Sequence, residues 1–122
     1  MNEKIKLMIV DDEEGICEIM QSYFERKGYS VSSATSAAKA LPIIKEIKPQ
    51  IMLLDKRMPD KNGIELLKEV RVFNQELKVI MISADKLDPA TAEEVRSLNL
   101  SGYMSKPLIL SELDVALEKI KT

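Results

Sequence analysis

Three stretches of this chain are apolar at four consecutive positions: Leu7-Met8-Ile9-Val10, Ile51-Met52-Leu53-Leu54 and Val79-Ile80-Met81-Ile82. A weaker run is Gly102-Tyr103-Met104. Continuous apolar runs suit strands covered on both faces, whereas alternation suits strands covered on one. Tyr29-Ser30-Val31-Ser32-Ser33-Ala34 alternates in part and reads as a strand nearer an edge. Between these runs the spacing turns helical. Ile16, Ile19, Met20, Tyr23 and Phe24 recur at steps of three and four, with Gly28 as a stop. Asn62 with Glu65 resembles a capping box ahead of Ile64, Leu67 and Val70. Pro89 suits a first helical turn, with Val95 and Leu98 behind it, and Leu113, Leu117 and Ile120 form a last stripe. Residues 36–48 are also helical in pattern, but Pro42 lies among them. It lacks an N–H and crowds the carbonyl of Ala38, so a kink or a late start is expected.

Strand and helix thus alternate five times. That order predicts a parallel sheet wrapped by helices on both faces through right-handed crossovers. No repeat, low-complexity tract or linker interrupts it, and 122 residues are one domain's worth, so residues 1–122 read as a single domain. In such sheets ligands bind beyond the carboxyl ends of the strands, where the strand order reverses. The residues just past each predicted strand end are therefore the candidates. They are Asp11-Asp12 (with Glu13-Glu14 following), Asp55, Ser83 and Lys106-Pro107.

Close carboxylates resist joint ionisation, and a hard divalent cation relieves that repulsion. An all-oxygen set fits Mg²⁺ (or Mn²⁺), which takes one or two carboxylates together with waters and a phosphate. A lysine adds a compact cation to the same cluster. The set is suited to holding a phosphoryl group between metal and lysine.

Composition narrows the chemistry further. The chain contains no histidine, which excludes Ser-His, Cys-His and His-metal sites. Its one cysteine, Cys17, allows neither an internal disulfide nor a thiolate metal site, reads as core filler and fits a reducing compartment. A net charge of −2 argues against direct nucleic-acid binding by this domain. No apolar stretch reaches membrane-spanning length and the first residues do not open a secretory signal, so a cytoplasmic location is expected.

Asp55-x-x-Met58-Pro59-x-x-x-Gly63, together with Asp11-Asp12, Ser83-Ala84 and Lys106-Pro107, resembles the receiver domain of bacterial two-component response regulators, chemotaxis-regulator-like, from Ile5 to Ile120. The resemblance implies a flavodoxin-like (βα)5 fold with strand order 2-1-3-4-5. It implies that Asp55 is the phosphoacceptor, fed by a histidine kinase or a histidine phosphotransfer protein. Asp12 would be the direct Mg²⁺ ligand and Asp11 its helper, with Asp55 and the backbone carbonyl of Arg57 completing the protein's share. Ser83 would bond the phosphoryl oxygens, Lys106 would pair with Asp55 and then with the phosphate, and Tyr103 would be the aromatic that turns inward with Ser83. The face formed by the helix after Pro89, the fifth strand and the last helix would then change for a downstream effector protein or domain, or for a homodimer partner. Such a module promotes its own phosphorylation and slow dephosphorylation but is a signalling switch rather than an enzyme.

Departures from the family pattern also carry expectations. Arg57 and Asp85, two residues beyond Asp55 and Ser83, flank the pocket with opposite charges and are expected to pair across its mouth. Ile109 stands where the family often has a polar helix cap. With Leu108 and Leu110 it makes an apolar run whose surplus over core packing suits docking or dimerisation. Other readings are less well matched. A small hydrolase or phosphatase with an aspartyl-phosphate intermediate usually has a second Asp where Arg57 stands. A flavodoxin-like cofactor binder needs a phosphate loop where acids follow Val10. Whether the domain acts alone or belongs to a longer DNA-binding or enzymatic regulator stays open on these residues.

Overall fold

The structure is a computed structural model that describes residues 3–85 and 88–121. Its elements follow the order β1 (Lys6–Val10), α1 (Glu14–Arg26), β2 (Ser30–Ala34), α2 (Ala37–Ile47), β3 (Ile51–Asp55), α3 (Gly63–Phe73), β4 (Lys78–Ser83), α4 (Pro89–Arg96), β5 (Gly102–Ser105) and α5 (Leu110–Ile120). The five strands form one sheet, all pairs parallel, in the order β2-β1-β3-β4-β5. This is the flavodoxin-like doubly wound arrangement.

The apolar runs are buried throughout because the sheet has helices on both sides. Alternate residues serve opposite cores. Met8, Val10, Met52, Leu54, Val79 and Met81 pack with the buried faces of α2, α3 and α4. Leu7, Ile9, Ile51, Leu53, Ile80 and Ile82 pack with α1 and α5, where Phe24 meets the rings of Tyr23 and Tyr29 edge-on. β2, at the sheet edge, is buried only in part, as its serines foretell.

Pro42 does not delay α2. The helix begins at Ala37 and runs through the proline. The bond that Pro42 cannot make would have ended on Ala38, and both residues are exposed, so water can serve the freed carbonyl. The start is also unusually well held: Ser36 Oγ accepts the Lys39 amide at 3.2 Å, and Asp60, from the β3–α3 loop, takes the two amides before it.

Other ends follow their local chemistry. Asn62 Oδ1 accepts the Glu65 amide at 2.9 Å and starts α3, and Asp88 Oδ1 accepts the Thr91 amide at 2.7 Å beside Pro89 at the head of α4. Gly28, at φ +100°, closes α1 in a conformation that a Cβ would strain. At the opposite end of the sheet from the strand tips, the Arg71 guanidinium spends its donors on main-chain carbonyls of Leu77, Leu98 and Asn99, which ties α3 to the connection after α4.

Candidate functional site

The sheet order reverses at β1, which has β2 on one side and β3 on the other, so the crevice opens at the carboxyl ends of β1 and β3. Register brings the tips level. Val10 pairs with Leu54, Asp55 with Ile82 and Ser83 with Ser105. One main-chain bond carries each tip onward: Asp11 N–H to Ala34 O, Lys56 N–H to Ile82 O and Lys106 N–H to Ser83 O. Asp11-Asp12, Asp55, Ser83 and Lys106, from four distant stretches of the chain, thereby lie at the same end of the sheet.

Asp11, Asp12 and Asp55 offer carboxylate oxygens that all lie within 4.8 Å of one another. Asp11 and Asp55 are buried, at 2% and 4% exposure, whereas Asp12 is exposed. The Lys106 ammonium enters between the buried pair, 3.0 Å from Asp55 Oδ2 and 3.5 Å from Asp11 Oδ2. The Lys106–Pro107 bond that follows is cis. The remaining oxygens are partly used by the main chain: Glu13 N–H donates to Asp11 Oδ1 at 2.9 Å and Arg57 N–H to Asp55 Oδ1 at 3.2 Å. The donor set is all oxygen, convergent and over-supplied with negative charge, which fits a hard divalent cation such as Mg²⁺.

Electrostatics agree with that geometry. Burial, reinforced by the charge of Asp55, pushes the Asp11 carboxyl above its usual range against the pull of the Glu13 amide and of Lys106. Burial opposes the charge on Lys106 too, but the hydrogen bond to Asp55 and the charges of both acids outweigh it and raise its value. Cys17 lies beneath the site with Sγ 3.3 Å from the carbonyl of Asp11; burial, then the charge of Asp11, pushes its thiol up to about 11. It is therefore a thiol at neutral pH and packs as core.

Ser83 is fully buried one residue past Ile82, the strand partner of Asp55. Its Oγ accepts the Asp85 amide at 3.0 Å, which leaves the hydroxyl proton free to donate elsewhere. Arg57 Nε donates to Asp85 Oδ2 at 2.7 Å. Tyr103 is half-buried against the core on the α2–α4 side, and its hydroxyl reaches the Asp85 carbonyl at 3.3 Å rather than Ser83. Asp85 therefore meets Ser83, Tyr103 and Arg57 through its amide, its carbonyl and its carboxylate. The sequence marks Asp85 only for its charge; two of its three contacts use the main chain, which residue type does not reveal. Asp60 was likewise unmarked, because its partners lie over twenty residues away.

The family model for the response regulator receiver domain matches residues 7–118, and the chain belongs to that family. It is 34% identical over 120 residues to the sporulation initiation phosphotransferase F of Bacillus subtilis (strain 168), covering 98% of this chain and 94% of that protein. It is 32% identical over 117 residues to the transcriptional regulatory protein ZraR of Klebsiella oxytoca, covering 96% of this chain but 26% of the longer protein. Among solved structures, a CheY-like receiver domain protein from Methanospirillum hungatei JF-1 superposes with a TM-score of 0.87 at 28% identity, covering 98% of this chain and 92% of the other. The chain is thus a receiver domain of the two-component response regulators, a phosphorylatable signalling switch. Among the described residues no helix is long and apolar enough to cross a membrane.

The raised Asp11 carboxyl makes a stability prediction. A carboxyl whose folded value lies above its unfolded one favours folding below the unfolded value, near 3.8, and that contribution is lost as pH rises through the folded value. At neutral pH, without metal, ionised Asp11 is a net cost. Asp11→Asn should stabilise the metal-free protein at pH 7 in urea unfolding, with the gain vanishing below about pH 4. A destabilised variant at pH 7 would contradict it.

Proposed function

We propose that Asp55 is the phosphoacceptor of this switch. The observation that carries this reading is the Lys106 ammonium seated between two buried carboxylates at the strand tips, with a third carboxylate alongside. An Asp55 oxygen attacks the phosphorus of a phosphohistidine on a donor protein. The new P–O bond forms as the P–N bond breaks, and the leaving imidazole takes up a proton. Asp11, Asp12, Asp55 and the main-chain carbonyl of Arg57 would hold the Mg²⁺ ion, which when bound offsets charge on the transferring oxygens. Lys106 stays with the same oxygens from the carboxylate to the acyl phosphate. Ser83 donates its free hydroxyl proton to the phosphoryl group, with Asp85 N–H keeping the side chain oriented. The domain supplies positioning and charge and so promotes its own phosphorylation and its slow hydrolysis, as a signalling module.

The donor is a histidine kinase or a histidine phosphotransfer protein, and the receiver of the signal is an effector protein or an attached effector domain. The changed state is read on α4, β5 and α5 through Ser83 and Tyr103. Residues 1–122 form the receiver unit, working in the cytoplasm, where a lone reduced cysteine is at home. Ile109, 52% exposed at the head of α5, has no side-chain capping bond. Its neighbours Leu108 and Leu110 line an apolar groove of about 580 Å³ with Ile16 and Met20. This run serves docking or self-association.

The Arg57–Asp85 pair spans the mouth of the pocket and hinders the in-line approach of water to the acyl phosphate. It is open to solvent, with the Arg57 side chain 77% exposed, so it adds little to stability.

Three measurements test these assignments. With Mg²⁺ and acetyl phosphate, intact mass should rise by one phosphoryl group, and Asp55→Asn should abolish the gain; a gain that survives the substitution rejects the assignment. Arg57→Ala should shorten the lifetime of the acyl phosphate by up to about 5-fold, the most that an exposed pair of about 1 kcal/mol allows. An unchanged hydrolysis rate removes the shielding role. Ile109→Asp should lower the sedimentation-derived association constant of the phosphorylated protein, and equal association would rule out a self-association role for this run.

A further inference from the structure

The β3–α3 loop, residues 56–62, passes over Asp55 and carries Arg57. Its shape is set from within. Gly63 N–H donates to Lys56 O at 2.7 Å, and a Cβ on Gly63 would lie 2.4 Å from Asp55 O, so the loop closes tightly on the strand it leaves. Asp60 connects the loop to a different helix. Its Oδ1 accepts the Ala37 amide at 3.2 Å and its Oδ2 the Ala38 amide at 2.9 Å. These are the first two residues of α2. Such amides have no partner inside their own helix, and here the loop supplies it.

A carboxylate suits this task. Its two oxygens accept both amides at once, whereas an asparagine offers one acceptor oxygen. Negative charge is also favoured at a helix N-terminus. The same amides hold the Asp60 carboxyl below the usual range, so it is ionised wherever the pocket works.

We infer that Asp60 is a positioning residue for the pocket: by hanging the β3–α3 loop from the start of α2, it sets where the main chain of Arg57 sits relative to Asp55. The inference rests on the reading of that pocket as a site for Mg²⁺ and phosphoryl transfer. Asp60 touches neither group. It acts through the loop, whose Arg57 amide already bonds Asp55 Oδ1 and whose Arg57 carbonyl is assigned to the metal. Without it, the three carboxylates keep their places at the ends of β1 and β3 while the main-chain contribution drifts.

The control is built into the same helix. Ser36 Oγ accepts the Lys39 amide, so Ser36→Ala also strips an acceptor from the start of α2, but it leaves the loop alone. In the metal-free protein, hydrogen exchange at the Arg57 amide should quicken in Asp60→Ala and stay near wild type in Ser36→Ala. By calorimetric titration with Mg²⁺, Asp60→Ala should weaken binding about 10-fold, as loss of an outer-shell partner typically does. Asp60→Asn should fall between, and Ser36→Ala should match wild type. Equal exchange in the two alanine variants, or equal loss of Mg²⁺ affinity, would make Asp60 a helix cap only and overturn the inference. Failure of the wild type itself to bind Mg²⁺ would reject the metal reading of the pocket, and the exchange comparison would still judge the loop. If Asp60→Ala does not fold, Asp60→Asn carries both measurements.

Discussion

Two buried carboxylates on neighbouring strand tips repel each other, and the fold gives them no room to separate. Asp11 follows Val10 and Asp55 follows Leu54, and those two residues are paired across β1 and β3. The main chain of each acid is fixed by the strand residue before it, in the buried centre of the sheet. Much of the surrounding chemistry answers this constraint. Lys106 stands between the acids, and main-chain amides from Glu13 and Arg57 take one oxygen of each. Like charges held in a place of low polarity bind cations because the protein has already met the cost of assembling them. The sheet is in this sense the spring that keeps the pocket charged.

Much of this was legible in the residues alone. Apolar runs without alternation showed which strands are central, and a partly alternating run showed the edge strand. The rule that parallel sheets bind at their carboxyl ends turned four separated stretches into one candidate site, and there the fold gathers oxygens of Asp11, Asp12 and Asp55 within 4.8 Å of one another and pairs Lys106 with two of them. The late start that Pro42 suggested does not occur: α2 begins at Ala37, and Pro42 and Ala38 lie on its exposed face. The contacts of Asp85 with Ser83 and Tyr103 were not legible either: they are made by an amide and a carbonyl, which every residue but proline carries. Asp60 looks like an ordinary turn acid until α2 is folded beside it.

Asp85 links several parts of the pocket's border. Its amide donates to Ser83 Oγ, and its carbonyl accepts the Tyr103 hydroxyl. Its carboxylate meanwhile answers to Arg57 on the loop beyond Asp55. One residue thus joins the last strand, the fourth strand tip and the loop after Asp55.

The pocket also concentrates negative charge at one end of the sheet. Its three aspartates and one lysine leave a formal surplus of two negative charges, which equals the net charge of the entire chain. The acidic and basic side chains outside the pocket are equal in number. A small cation that reaches that edge meets converged carboxylates, an attraction that weakens as salt is added.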